Sequence, residues 1–226
     1  MVLQDRDLQI LQFISKFAYC QERHIMKLCG LSKVNCNKIL TRLIKRDYLN
    51  KQKVLASSDA YLFLGKNGCE LLDVTFSKKI VLNTLQHDTL LVDLYFILKN
   101  QYNCAIYTDK ELRVFHKVGQ IHRVPDLLIN QEIAVELEIT EKSKDRLQEI
   151  VNSYIINDEI NQVNYYLYNK NLAQKICNLS GYHKKFSFFI IKNIEDNFVL
   201  EKFIPVGIKE IEKENKTPKK FGGFSF

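Results

Sequence analysis

Nowhere in these 226 residues is there a Cys-x-x-Cys pair. The six cysteines, at positions 20, 29, 36, 69, 104 and 177, are scattered through apolar stretches, which sets aside the usual zinc ribbons and disulfide frameworks. They read as small buried hydrophobes in a reducing compartment. A zinc site from Cys20, Cys29, Cys36 and His24 is the sharper alternative, although that spacing matches no common finger. No stretch approaches the roughly 20 apolar residues that a membrane-spanning helix needs. The opening Met1-Val2-Leu3-Gln4-Asp5-Arg6 lacks a signal-peptide pattern, so a cytoplasmic protein with no membrane partner is expected. A GxxxxGKS/T loop is missing as well, and the glycines of Leu64-Gly65-Lys66-Asn67-Gly68 are therefore no nucleotide cradle.

With 46% apolar and 26% charged residues the composition is that of a globular protein, and its length suits two domains with real cores. Charge divides them. Residues 1 to 80 hold 14 Lys or Arg against 7 Asp or Glu, while residues 81 to 226 hold 19 of each. A basic module beside a neutral one suits a polyanion-binding domain joined to a second function.

The first module, residues 1–80, opens with apolar side chains at 8, 10, 11, 13, 14 and 17, a helical period with acidic residues in its first turn. A second helix is predicted near 21–28. Gly30-Leu31-Ser32 then reads as a C-cap, a turn and an N-cap. The third helix, 32–46, is expected to bury Val34, Ile39, Leu40, Leu43 and Ile44. Its other face carries Lys33, Asn35, Asn37, Lys38, Thr41, Arg42 and Lys45, which can contact phosphates and base edges. Two strands follow, 48–54 with Lys51 and Lys53, and 60–64, joined by the Ser57-Ser58-Asp59 turn. Three helices and a hairpin read as a winged helix-turn-helix, for which the net charge favours DNA binding, with use as a dimerisation unit the plain alternative.

After a polar connector, residues 81–208 read as helix 85–98, strand 105–108, a loop through 117–120, strands 123–129 and 133–139, helix 142–156, strand 161–168, helix 169–179 and strand 186–191. This predicts a mixed α/β (α+β) sheet flanked by helices, followed by a flexible tail at 209–226. Two adjacent apolar strands each carry acid here: Asp126 in Arg123-Val124-Pro125-Asp126-Leu127-Leu128-Ile129, and Glu136 and Glu138 in Ile133-Ala134-Val135-Glu136-Leu137-Glu138-Ile139. Strand alternation puts Glu136 and Glu138 on one face while Val135, Leu137 and Ile139 point to the core. Three converging carboxylates repel one another unless a hard divalent cation joins them, and oxygen-only ligands suit Mg2+ or Mn2+. A solvated strand face is the plain alternative.

Helix, three strands, helix, strand, with Pro-Asp on the second strand and Glu-x-Glu on the third, resembles the PD-(D/E)xK nuclease superfamily across about residues 85–168. The resemblance implies a restriction-endonuclease-like sheet with Asp126 and Glu136 as principal metal ligands. Glu138 stands where that superfamily most often has lysine; it could be a further ligand or a general base, with Lys142 or Lys144 supplying the positive charge. With the winged helix, the phrase Tyr61 to Leu72, a helix opening at His87, Val-Pro-Asp, Val-Glu-Leu-Glu-Ile-Thr and a helix ending in Tyr154, the chain also resembles the replication-relaxation family, related to the MOB-C plasmid relaxases. That implies a metal-dependent nickase acting on duplex DNA at a plasmid transfer or replication origin, alongside relaxosome or replication proteins. It also implies His87 as an additional site residue and Tyr19 as a candidate for DNA contact or covalent linkage. The His-hydrophobic-His motif of the commoner relaxases is absent. A non-catalytic DNA-binding accessory or repressor, and a protein-interaction module, are the rival readings.

Overall fold

The computed structural model describes residues 2–54, 59–75, 80–115, 123–194 and 197–206. The turn residues 57 and 58, the loop 117–120 and the tail from Lys209 lie outside them. Among the described residues no helix is long and apolar enough to cross a membrane. The chain is a mixed α/β protein that divides into two compact units, Met1–Gln120 and Ile121–Phe226.

The first unit begins with α1 (Asp5–Phe17), whose Ile10, Leu11, Phe13, Ile14 and Phe17 are buried. The Gln4 N–H donates to Asp7 Oδ2 at 3.0 Å and ties off the first turn. Ala18, at φ 69°, ends the helix, and Tyr19, read from the sequence as near its end, instead starts the short strand β1 (Tyr19–Gln21). α2 (Glu22–Cys29) stops at Gly30 in the left-handed region, and α3 (Lys33–Lys45) starts after Ser32, whose Oγ accepts the Asn35 N–H at 3.4 Å. Cys36, Ile39, Leu40 and Leu43 form the buried face of α3 at helical spacing. Val34 precedes Cys36 by two positions and so turns to the opposite side, where it is 65% exposed rather than buried as expected. Ile44 is half-buried.

β2 (Leu49–Gln52) and β3 (Tyr61–Leu64) follow, and the antiparallel sheet has the order β1-β3-β2, with Tyr19 opposite Phe63 and Leu49 opposite Leu64. α4 (Lys66–Leu72) then packs against the chain reversal between α3 and β2. The Gly65 N–H donates to the Tyr48 carbonyl at 2.9 Å, and Asn67 N–H to the Asp47 carbonyl at 3.0 Å. A Cβ on Gly65 would lie 2.3 Å from the Asp47 carbonyl oxygen and one on Gly68 2.2 Å from that of Tyr48. Close backbone approach is what these glycines provide. The unit closes with α5 (Leu85–Tyr102), β4 (Ile106–Thr108) and α6 (Asp109–Phe115). α6 was not expected, yet Thr108 and Glu111 cap it reciprocally: Thr108 N–H donates to Glu111 Oε2 at 2.9 Å and Glu111 N–H to Thr108 Oγ1 at 3.4 Å.

In the second unit β5 (Leu127–Ile129) and β6 (Ile133–Glu138) form a hairpin with Leu127 opposite Val135. Asn130 and Gln131, the central residues of its turn, both have positive φ, the turn class that matches strand twist. The strand expected at 123–129 is shorter because the Leu137 N–H, which a longer β5 would have paired through its backbone, donates to the Asp126 side chain at 2.8 Å. α7 (Lys144–Ile155) crosses to β7 (Gln162–Leu167), parallel to β6, and α8 (Lys170–Leu179) crosses to β8 (Phe186–Ile194), parallel to β7. A final strand the sequence reading did not foresee, β9 (Asn197–Phe203), pairs antiparallel to β8. Residues 134–138 and 163–167 are all buried, as in strands covered on both faces.

Candidate functional site

Extending the β5–β6 register back by one residue sets Asp126 opposite Glu136, in the bend just before β5. Glu138 lies two residues further along β6, so the two glutamates share a face, and both are almost wholly buried, at 1% and 3% exposure. A solvated strand face is thereby corrected: α7, whose Leu147, Ile150, Val151 and Tyr154 are buried, covers that side.

Buried carboxylates need partners, and each has one. Arg123 clamps Glu136 with both arms of its guanidinium, Nε to Oε1 at 3.0 Å and Nη2 to Oε2 at 2.7 Å. The Tyr154 hydroxyl also donates to Glu136 Oε1, and the Arg123 guanidinium lies 5.9 Å from the centre of the Tyr154 ring. Burial pushes the Glu136 carboxyl up, to about 7, and the neighbouring Asp126 charge adds to this, while Arg123 and Tyr154 pull it down. Glu138 contacts Lys142, so Lys142 does meet an acidic strand. Lys144 opens α7 as an exposed residue.

Tyr165 stands beside Glu136 on β7, its Cα directly across from that of Glu136. Its hydroxyl is buried with no hydrogen-bond partner among the described residues, and burial first, then the Glu136 charge, holds it well above the usual tyrosine range. Arg123, Tyr154 and Tyr165 were not predicted as site residues. Two signals were present: an arginine two places before Pro-Asp, and a tyrosine on the apolar stripe of α7.

In the first unit, His87 lies in the first turn of α5, its Nδ1 3.3 Å from Asp88 Oδ1. Asp88 also accepts from the Tyr19 hydroxyl and from Thr84 Oγ1 at 2.8 Å. Burial opposes ionisation of Asp88, but the hydrogen bonds from His87, Tyr19 and Thr84 outweigh it and hold the carboxyl below its usual range. Tyr19 is pushed far up by burial and by Asp88, which keeps its phenol protonated.

On α3 the side chains of Lys33, Asn35, Lys38, Thr41 and Lys45 are exposed and Asn37 is half-buried. Arg42, counted with them from the sequence, instead reaches Asp7 on α1, Nη2 to Oδ1 at 2.5 Å, where Asp7 is fully buried. On the hairpin Lys51 and Lys53 are exposed, Lys51 lying 3.7 Å from Glu22.

All six cysteines are free. His24, the histidine of the alternative zinc set, accepts the Gln21 N–H at Nδ1, 3.0 Å, and faces Asp93 Oδ1 with Nε2, 3.2 Å. Among the described residues no three His, Cys, Asp or Glu side chains are grouped as a ready cage for a metal. The donor types at Asp126, Glu136 and Glu138 nonetheless suit a hard cation, being carboxylate oxygens beside an unpartnered buried hydroxyl. No protein-family model, curated protein or solved structure matches the chain.

Proposed function

We propose that the chain binds duplex DNA through its first unit and cuts one strand with a divalent cation, Mg2+ or Mn2+, held at the acidic cluster of the second. The observation that carries this reading is the register that puts Asp126 opposite Glu136 with Glu138 on the same face. The first unit supports the DNA half: its order α1-β1-α2-α3-β2-β3, with an antiparallel three-stranded sheet, suits a winged helix. Its third helix presents Lys33, Asn35, Lys38, Thr41 and Lys45 outward. The second unit, a mixed sheet with crossover helices, suits a restriction-endonuclease-like domain.

In this reading Asp126, Glu136 and Glu138 hold the cation, and Lys142 orients the Glu138 carboxylate. The bound cation would lower the pKa of a water and offset charge growing on the phosphate. A water would add to phosphorus as the P–O bond to one strand oxygen breaks, the proton that the water gives up ending on that leaving oxygen, and a nick would result. Such chemistry fits a plasmid relaxase acting at a transfer or replication origin with relaxosome or replication proteins. A second reading, a non-catalytic DNA-binding accessory or repressor, is favoured by one observation, the bidentate Arg123–Glu136 pair, which already balances the buried charge.

Supercoiled plasmid carrying the replicon's own origin separates the two. Nicking in Mg2+ or Mn2+ but not in chelator, lost in Asp126→Ala while DNA binding persists, supports the enzyme. Binding with no nicking under either metal supports the accessory protein.

A further inference from the structure

The glutamate of the acidic pair that sits opposite Asp126 is held by an arginine, and the strand position that often carries a nuclease lysine is Glu138. We propose that Arg123 is the missing positive charge of this site: it pairs with Glu136 until a divalent cation displaces it, and the freed guanidinium then binds the scissile phosphate. The inference rests on the cleavage reading above.

Three features support an exchangeable arginine. The Glu136 side chain is 2% exposed and that of Arg123 19%, so of the pair the guanidinium is the partner that solvent reaches. Both Glu136 oxygens are engaged, Oε1 by Nε and Oε2 by Nη2, so a cation cannot take that carboxylate in bidentate fashion while the clamp is closed. Arg123 is only three residues before Asp126, so a displaced side chain stays beside the cluster, and the Tyr154 ring 5.9 Å away gives its planar head a surface to rest on. The planar fork that matches a carboxylate also matches two phosphate oxygens.

The test compares wild type, Arg123→Ala and Arg123→Lys in full-length protein by Mn2+ titration calorimetry and by single-turnover nicking of plasmid. Losing the competing guanidinium should tighten Mn2+ binding at least tenfold in Arg123→Ala, while removal of the phosphate-binding group should slow nicking about 100-fold, the usual cost of one transition-state donor. Arg123→Lys, with charge but no fork, should fall between on both readings, and it serves as the deciding variant if Arg123→Ala does not fold. A merely structural arginine would weaken Mn2+ binding and cleavage together. Wild type that binds Mn2+ and nicks, with variants binding Mn2+ no tighter, overturns this inference and leaves the cleavage reading intact. Absence of Mn2+ binding in every protein overturns both.

Discussion

Asp126 faces Glu136 across the start of the β5–β6 hairpin, and its Oδ2 accepts the Leu137 N–H at 2.8 Å, so a side chain takes the bond that a longer strand would have given to backbone. The exchange shortens β5 and holds a carboxylate against a second, buried one. A half-buried acid this close to a fully buried one is a liability that stability alone does not explain, since an apolar pair would pack there at lower cost.

Glu136 makes folding depend on pH. Its folded pKa, about 7, lies above its ordinary value of 4.5, so the folded chain holds this proton more tightly than the unfolded chain does. The resulting stabilisation is complete below about pH 4.5 and is lost as pH rises through 7. Urea unfolding at several pH values should show a slope approaching one proton in this window for wild type, and a flatter line for Glu136→Gln. Mn2+ affinity should rise over the same interval, because a cation needs the ionised carboxylate.

Arg42 and Lys38 lie on one helix and should behave differently. Arg42→Ala takes the guanidinium from the fully buried Asp7, leaving it the bond from the Gln4 N–H, and should cost about 2 kcal/mol of stability, in the range for a hydrogen bond to a charged group. Lys38→Ala should leave stability unchanged and reduce the salt slope of DNA binding by about one unit, as expected on losing one phosphate contact. Thermal unfolding and binding isotherms at two or more salt concentrations read the two effects. An affinity indifferent to salt would favour dimerisation as the use of this unit.

Glycine positions that serve different ends should respond differently to alanine. A Cβ at Gly68 would meet the Tyr48 carbonyl at 2.2 Å, and Gly68→Ala should lose about 3 kcal/mol, the upper end of the usual overpacking cost. Gly30, at φ 62° with nothing within 4 Å of an added Cβ, should lose only about 1 kcal/mol, the cost of holding alanine in the left-handed region. Thermal melts of the two variants distinguish close approach from turn geometry.

Period and punctuation made most elements legible. The stripe of α1, the Gly30 cap and Ser32 cap between α2 and α3, and the strand that carries Glu136 and Glu138 all appear as the residues demand. Elements that escaped were those whose signal is local and short. β1 is three residues with no alternation to read, and α6 is announced only by the Thr108-x-x-Glu111 pair. The acids of the site were legible because charge on an apolar strand is conspicuous. Their partners were not, since Arg123 and Tyr154 come from separate segments and only the folded register shows that both end on Glu136. The Arg42–Asp7 pair was hidden for a related reason: a basic side chain on a polar face looks free until its cross-helix acid is known.

The most direct measurement of the central claim is strand cleavage of supercoiled plasmid bearing the replicon's origin, with Mn2+ supplied and then chelated, by wild type and by Asp126→Ala. The account predicts open-circular product from wild type that disappears with chelator, and none from Asp126→Ala despite unchanged salt-dependent DNA binding. Intact supercoiled DNA after incubation of folded, DNA-bound wild type with either Mg2+ or Mn2+ would contradict it.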